Sequence, residues 1–371
     1  MLTNSAFRKK STAWGVFMPK EIIGIQYLRG MSALSVVFFH IELQLAHIYE
    51  GYKALESLQA GVDVFFVISG FVMYHSTNGG SALTGREFFV RRIIRIVPLY
   101  WLATLSMVSI IVFVPHLGQS VKSSFVNLDH LLASLFFFPV TSPVAPNLFL
   151  PLLPTGWTLN YEMFFYSLFA VAIACGARRQ GRVVTIVVAA LGALALVGIL
   201  NDAPGPLGFY TDPIVLEFCF GMIAASVWRR WTIRSQPVAC AVFVLACALI
   251  ISLPIVDPAY RVLRFGLVAA ALVFAAACIS WRSFNFLKLM GDVSYTMYLS
   301  HMFVLAAVVQ VWRRLGPQVG SGHIPILYTV AVLTVICGSI VVWRLIEKPI
   351  DAALKSALQR NWASTPDAAM S

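Results

Sequence analysis

Two ionisable residues lie eleven positions apart in an apolar stretch near the start of the chain: Arg29 and His40, in YLRGMSALSVVFFH (27–40). At about 100° per residue, eleven residues make three helical turns plus roughly 20°, so both side chains lie on one face, about 16 Å apart along the axis. Ionisable side chains at membrane depth are costly, and they usually face a bundle interior or a watery cavity, where they mark functional paths. The other interpretation is structural: an arginine that extends to the membrane surface and a histidine that is hydrogen-bonded between helices.

A carboxylate, Glu162, follows Trp157 by five residues in GWTLNYEMFFY, a stretch predicted to begin a helix at the outer face of the membrane. With the orientation derived below, this is also the depth of His40. A carboxylate near a histidine is what a general base and its orienting partner require, so His40 and Glu162 are the candidate catalytic pair. Trp157 is a candidate substrate contact. An interfacial belt of Trp and Tyr would explain Trp157 and Tyr161, but it explains less well a glutamate followed by Met-Phe-Phe.

Arg29, in the cytoplasmic half of its helix, and two further groups are candidates for binding a ligand that carries phosphate. Arg92 and Arg95, three residues apart, share a helical face, and clustered guanidiniums grip phosphate with forked hydrogen bonds. A cytoplasmic anchor or a contact with anionic lipid explains these arginines equally well. Ser294, Tyr298 and His301 fall on one face of a later helix, in its cytoplasmic half, where they would line a passage from the cytoplasm or join two helices.

Other polar residues favour structural roles or a contact with the substrate. Asp63 opens the second apolar segment at its outer end and is a second candidate substrate contact. The Ser69–Gly70 pair favours close helix packing. Glu217 is expected to pair with an arginine such as Arg264. The six cysteines show neither CxxC nor Cys/His ligand spacing, so we predict no metal site and no disulfide.

The apolar composition defines the elements that must position these residues. Of the 371 residues, 59% are hydrophobic and only 12% are charged, and the mean hydropathy is +0.81. An ordinary soluble domain has roughly 25% charged residues. The chain is therefore predicted to be an all-α, polytopic integral membrane protein. The net charge of +11 indicates no nucleic-acid partner, because most of the positive residues fall in loops on one side of the membrane.

Ten apolar windows are long enough to be transmembrane helices, at about 20 residues each with some allowance for tilt. They lie near 26–47, 60–76, 95–115, 158–176, 183–200, 212–229, 237–255, 261–280, 295–314 and 324–346. The region 130–150 holds a shorter apolar run between prolines. We expect an interfacial or re-entrant piece there, and an extra span is the alternative.

The distribution of positive residues orients this bundle. With the N-terminus in the cytoplasm, 20 of the 27 Lys and Arg residues fall on the inner side and six on the outer side, while Arg29 lies inside the membrane. Both termini are then cytoplasmic. The predicted domains are a cytoplasmic tail over 1–23, a transmembrane domain over 24–349 and a cytoplasmic tail over 350–371. We expect the protein in a plasma membrane, the inner membrane of a bacterium, in contact with its lipid.

Five motifs resemble a known family. The R-x10-H of the first helix, GVDVFFVISGF, RRIIRIVPLYW, GWTLNYEMFFY and GDVSYTMYLSHMF, in this order and at these spacings, resemble the acyltransferase 3 family of membrane O-acyltransferases, which act on bacterial glycans and related molecules. Each motif alone is loose, but five in order are specific. The resemblance covers about 24–349 and is strongest to the exopolysaccharide-modifying subgroup.

The resemblance implies a cytoplasmic acyl-CoA donor, with acetyl-CoA the first candidate. The acyl group would pass to a hydroxyl of an exported or cell-surface polysaccharide, or of its lipid-linked precursor. By the family pattern, His40 would be the catalytic histidine and Arg29 its motif partner, Arg92 and Arg95 would meet the CoA phosphates, and Glu162 would be the essential acid. The sequence departs from the family in reading W-T-L where W-S-L is common, and in lacking the hydrolase-like domain fused to some members.

Other functions stay open. A transporter or flippase of a lipid-linked sugar would use His40 and Glu162 as proton-coupling groups, but the chain shows neither repeated halves nor paired broken helices. A structural subunit of a polysaccharide assembly complex would leave Arg29, His40 and Glu162 unexplained. An acyltransferase with a small, non-polymeric acceptor is a further alternative, and a homo-oligomer is compatible with the sequence.

Overall fold

The computed structural model describes residues 21–77, 84–114, 126–143, 145–175, 180–201, 204–253, 258–315 and 321–363, and these ranges are helical with no β-strand. The helices are α1 Ile23–Ile48, α2 Gly61–Thr77, α3 Gly85–Phe113, α4 Leu128–Leu135, α5 Trp157–Ala174, α6 Gln180–Leu200, α7 Gly205–Thr211, α8 Leu216–Arg230, α9 Gln236–Ser252, α10 Pro258–Arg261, α11 Leu267–Cys278, α12 Asn285–Asp292, α13 Ser294–Leu315, α14 Ile324–Val342 and α15 Lys348–Ala363. Two π-helical segments join consecutive helices, Val262–Gly266 between α10 and α11 and Trp343–Glu347 between α14 and α15.

The membrane character of the chain is confirmed by its long apolar helices. In the described residues, six helices are long and apolar enough to cross a bilayer, and a seventh span results if α7 and α8, bent by 42°, form one unit. Each of the ten predicted windows coincides with a helix, but α9 and the apolar helix over Val262–Cys278 have fewer than the 18 residues that the six candidate spans reach. The protein is therefore an all-α, multi-pass membrane protein. Ten spans and two cytoplasmic termini stay predictions.

The region between α3 and α5 forms a short surface helix, as expected for an interfacial piece. With eight residues, α4 is too short to span a bilayer. Ser134 links α4 to α3 and to the segment before α5. Its carbonyl accepts a hydrogen bond from the Tyr100 hydroxyl at 3.0 Å, and its hydroxyl accepts one from the Leu152 N–H at 2.9 Å. No extra span occurs in the described part of 130–150.

Helix α2 lies at the centre of the bundle and contacts α8 backbone to backbone. A β-carbon placed on Gly70 would lie 2.0 Å from the Phe218 carbonyl oxygen, and one on Gly221 would lie 2.0 Å from the Val67 carbonyl oxygen. Only glycine permits this approach at either position, which is the usual role of small residues between membrane helices. The packing role predicted for Gly70 is confirmed.

The structure describes only part of each of the two predicted tails. Most of the predicted tail over 1–23 lies outside the described residues. The predicted tail over 350–371 is helical as far as Ala363, because α14, the π-helical segment and α15 continue one another. At this junction Glu347 forms a salt bridge of 2.8 Å with Arg95 of α3, which holds the end of the last span against the third helix.

Candidate active site

Two cavities open inside the bundle. The first, the arginine cavity, has a volume of about 180 Å³, and its walls include Arg29, Arg92, Arg95, Glu162, Tyr166 and Ser294. The second, the histidine cavity, has a volume of about 1080 Å³, and its walls include His40, His47, Trp157, Arg261, Arg313 and Arg314. Val62 and Tyr298 line both, so the cavities meet at these two residues. The two membrane depths predicted for the polar residues correspond to these two spaces for Arg29, Arg92 and Arg95 on one side and for His40 and Trp157 on the other.

Arg29 is oriented at the wall of the arginine cavity by a chain of hydrogen bonds. Its guanidinium donates to the Gln26 side-chain oxygen at 3.2 Å, and the Gln26 amide donates to Asp292 of α12 at 2.5 Å. The predicted proximity of Arg29 to Arg92 and Arg95 is observed, because all three line one cavity. Three guanidiniums converge here from two helices.

The other two arginines of this cavity differ in their partners. The Arg92 guanidinium lies 5.4 Å from the centre of the Phe88 ring and 5.5 Å from that of Tyr166, and its Nε has no hydrogen-bond partner among the described residues. Arg95 is held by Glu347, which also accepts a hydrogen bond from Thr296. Arg92 therefore has an N–H, at its Nε, without a partner among the described residues, whereas one side of Arg95 is already occupied.

Glu162 faces the arginine cavity, and the prediction that it lies at the depth of His40 is wrong. Its Oε1 accepts hydrogen bonds from the Ser69 hydroxyl at 3.0 Å and from the Tyr166 hydroxyl. The cause is helical rise: Glu162 follows Trp157 by five residues, about 7.5 Å deeper along α5. Trp157 lines the histidine cavity, as predicted, while Glu162 is an electrostatic neighbour of Arg29 and Arg92.

The partner of His40 is a second histidine. The Nε2 of His301 lies 3.4 Å from Nδ1 of His40, and the ring centres are 4.8 Å apart. The same Nδ1 lies 2.9 Å from the Val36 carbonyl oxygen, and Nδ1 of His301 lies 3.1 Å from that of Met297. A carbonyl accepts only from an N–H, so Nδ1 carries the proton in each ring. This assignment makes Nε2 of His40 the basic nitrogen.

His301 was predicted to line the donor's passage, and the structure instead places it, fully buried, beside His40. The reason is again helical rise, because His301 lies seven residues, about 10 Å, beyond Ser294 on α13. Ser294 stays at the arginine cavity, where its hydroxyl donates to the Gly291 carbonyl at 2.7 Å. The predicted polar stripe therefore extends from one cavity towards the other.

Tyr298, the middle residue of that stripe, forms the partition between the cavities. Its hydroxyl donates to the Thr155 carbonyl oxygen at 2.8 Å and lies 2.6 Å from the Thr158 hydroxyl. Thr158 is the threonine of the W-T-L sequence. A ligand that extends from the arginines to His40 must pass this contact, so Tyr298 lies on the predicted passage.

Asp63 is fully buried and lines neither cavity, in contrast to its predicted contact with substrate. It forms a two-pronged pair with Arg261, at 3.0 Å to Nε and 2.7 Å to Nη2. Glu217, expected to pair with an arginine such as Arg264, is buried beside this Asp63–Arg261 pair. Asp63 acts on the histidine cavity only through Arg261.

Several residues of both cavities were not predicted from the sequence. Tyr166 follows Glu162 by one helical turn, so its contact with that carboxylate could have been inferred from spacing. Arg261 and Arg313 reach the histidine cavity, and Glu347 reaches Arg95, from distant segments that only the packing of the helices brings together.

A family model described as an acyltransferase domain matches residues 22–344. The chain belongs to the acyltransferase 3 family. It is 36% identical over 299 residues to the exopolysaccharide production protein ExoZ of Rhizobium meliloti, a match that covers 78% of this chain and 89% of that protein. It is 22% identical over 376 residues to the O-acetyltransferase OatA of Staphylococcus aureus, which covers 90% of this chain and 58% of OatA. No solved structure matches significantly.

These matches confirm the resemblance and the class of reaction. The protein is a membrane acyltransferase, and its similarity to ExoZ supports the exopolysaccharide-modifying subgroup. The match spans little more than half of the length of OatA. The two cavities described above lie within the matched residues.

Proposed function

We propose that the protein transfers an acyl group, acetyl in the first instance, from cytoplasmic acyl-CoA to a hydroxyl of an exported polysaccharide or its lipid-linked precursor. The observation that supports this most is the pair of cavities that meet at Tyr298, with three arginines on one side and His40 on the other. Under the predicted topology the arginine cavity opens to the cytoplasm of a bacterial cell and the histidine cavity to the outer face of its inner membrane.

The arginine cavity has the chemistry to hold the donor's phosphates. Its three guanidiniums offer charged, forked hydrogen-bond donors to a phosphate group. A volume of about 180 Å³ is below the usual range for drug-sized ligands, so only part of acyl-CoA fits inside. The phosphates would lie at the arginines, and the acyl end would extend towards Tyr298.

His40 is the group we assign to proton transfer. The acceptor's hydroxyl oxygen attacks the thioester carbonyl carbon while Nε2 of His40 takes the hydroxyl proton, and the carbon–sulfur bond then breaks. The thiolate of CoA leaves and recovers that proton from the imidazolium. His301 would position the ring of His40 through its contact with Nδ1. Glu162 lies in the other cavity, so we assign it to the arginines and the donor.

The test compares polysaccharide from cells with the wild-type protein and with His40→Ala at equal protein level. General base catalysis contributes about 10²–10⁴-fold, so we expect normal amounts of polymer that has lost nearly all its ester-linked acyl groups. The mass difference between the two polymers identifies the acyl group. His323→Ala, which removes an exposed histidine outside both cavities, is the matched control.

Three results would contradict the proposal. Full acylation in the His40→Ala cells would remove His40 from the reaction. Reduced export of polymer with unchanged acylation per sugar would favour the transporter or flippase. An unmodified wild-type polymer, together with acylation of a small molecule by the purified protein, would favour the alternative of a non-polymeric acceptor.

A further inference from the structure

The charge on the walls of the histidine cavity has one sign. Three arginines, Arg261, Arg313 and Arg314, line it together with His40 and His47, and no aspartate or glutamate is among its lining residues. A cleft lined by charge of one sign concentrates ligands of the opposite sign. The transfer of an acyl group to a neutral hydroxyl does not by itself require these arginines.

Arg261 is a fixed guanidinium at this wall. Asp63 binds its Nε and Nη2, and Gln59 accepts from Nη1 at 2.7 Å. These contacts use three of the five N–H groups of an arginine, so two are left. The side chain keeps 21% of its surface accessible, whereas Asp63 is completely buried behind it. Such a guanidinium is oriented before any ligand arrives.

Arg313 and Arg314 add charge that is not balanced nearby. They are exposed residues in the last turn of α13, and no salt bridge to either occurs among the described residues. In the same cavity Phe39 and Trp157 offer flat apolar surfaces. The volume of about 1080 Å³ is at the upper end of the range for small-molecule sites, which suits several sugar rings.

We infer that the histidine cavity selects an anionic acceptor: a saccharide that carries a carboxylate or phosphate oxyanion bound by Arg261, Arg313 and Arg314. The sugar rings lie against Trp157, and the hydroxyl to be acylated faces His40. The inference rests on the proposed function and specifies its substrate class. The oxyanion belongs either to an acidic sugar of the chain or to the diphosphate of a lipid-linked precursor.

The test uses purified protein in lipid nanodiscs with acetyl-CoA and three acceptors. These are cellotetraose, cellotetraose with one glucose oxidised to glucuronate, and cellotetraose linked to a prenyl diphosphate. For the wild-type protein we expect kcat/KM to be at least tenfold higher with one of the two anionic acceptors than with cellotetraose. Added salt should reduce this preference, because it screens exposed charges. The preferred acceptor distinguishes the sugar carboxylate from the lipid diphosphate.

The variant that tests the site is Arg313→Gln/Arg314→Gln. We expect it to lower the preference for the anionic acceptor at least tenfold and to weaken its dependence on salt. Lys53→Gln is the matched control, because it removes an exposed positive charge from the predicted outer side without touching the cavity. It should keep the wild-type preference.

Several outcomes would overturn the inference. Equal kcat/KM for all three acceptors in the wild-type protein would show that the cavity does not select charge. An unchanged preference in the arginine variant would leave these residues as anchors to lipid headgroups. Failure of the wild-type protein to acylate any of the three, with no release of CoA thiol, would instead overturn the proposed function and the inference with it.

Discussion

Among the described residues that line the arginine cavity, Glu162 is the one carboxylate, and it shares the cavity with three positive side chains. Like charges so close to one another in a partly buried space repel strongly, and a nearby carboxylate offsets that repulsion. Tyr166 and Ser69 hold Glu162 in place through its Oε1. The cavity thus stays open and ordered before the donor binds, while the Arg92 Nε is kept without a partner in the described protein.

Arg92 is the residue whose loss should weaken donor binding most directly. A hydrogen bond between charged groups contributes about 1.5–3 kcal/mol, so we expect the Kd for CoA to rise about 10- to 100-fold in Arg92→Gln. Arg92→Lys keeps the positive charge but loses the forked pair of guanidinium donors. Its Kd for CoA should lie between those of the wild-type protein and Arg92→Gln. Titration calorimetry of the solubilised protein measures both.

The control for this measurement is Arg86→Gln, because Arg86 is an exposed arginine in the first turn of the same helix and lines neither cavity. It should bind CoA as the wild-type protein does. An unchanged Kd in Arg92→Gln would indicate that Arg92 is a membrane anchor and that the phosphates bind elsewhere.

Sequence patterns predicted the membrane depth of most site residues but not their contacts. Position along a span determines depth, so Arg29 shares one cavity with Arg92, and His40 shares the other with Trp157. The His40–His301 contact depends on how α1 and α13 pack, which periodicity does not describe.

At the scale of elements, α2 connects the site to the rest of the bundle. One face of this helix lines the arginine cavity through residues such as Ser69 and Met73, and Gly70 lies against α8. A displacement of α2 from α8 would therefore move the wall of the donor site. We expect the close contact with α8 to hold this wall in place.

Gly70→Ala tests this contact. The added β-carbon would lie 2.0 Å from the Phe218 carbonyl oxygen, so the two helices must separate. Overpacking of this kind costs about 1–3 kcal/mol or more, and we expect a melting temperature several degrees lower in detergent together with weaker CoA binding.

Gly192→Ala on α6 is the comparison, because a β-carbon there meets no atom within 4 Å and alanine favours helix. Its melting temperature should stay the same or rise. If Gly70→Ala were equally stable, the close approach of α2 and α8 would not matter to the fold.

The long apolar helices were the most predictable elements, because a bilayer requires about 20 apolar residues in each span. The amphipathic helix α12 was not predicted, since its eight residues carry no spanning signal. Yet α12 supplies Asp292, which orients Arg29 through Gln26. Short elements between spans contribute to the site through contacts that hydropathy does not reveal.

For the whole molecule, the central feature is the partition at Tyr298 between the two cavities. Its hydrogen bond to the Thr155 carbonyl joins α13 to the turn before α5. In the proposed function, donor and acceptor would approach from different spaces and meet only when this contact opens or the acyl end passes it. Such an arrangement would exclude water from the thioester until the acceptor is present.

Tyr298→Ala should remove the partition. With the two spaces continuous, water would reach the thioester, and we expect the ratio of acetyl-CoA hydrolysis to acyl transfer to rise at least fivefold. Thiol release measured with and without acceptor gives this ratio. Tyr260→Ala, at an exposed tyrosine outside both cavities, should keep the wild-type ratio, and an unchanged ratio in Tyr298→Ala would show that the partition does not exclude water.

The partition also has a consequence for the energy balance of the cell. Two polar cavities in one bundle nearly form a pore, and moving one elementary charge through a membrane potential of 100 mV dissipates about 2.3 kcal/mol. Val62 and Tyr298 separate the two spaces with an apolar side chain and an aromatic ring. In the proposed function, the contact that controls the acyl group would also act as an electrical insulator. Under the predicted topology, with the two cavities on opposite faces of the membrane, this insulation would preserve the proton gradient of a cell that makes the enzyme in quantity.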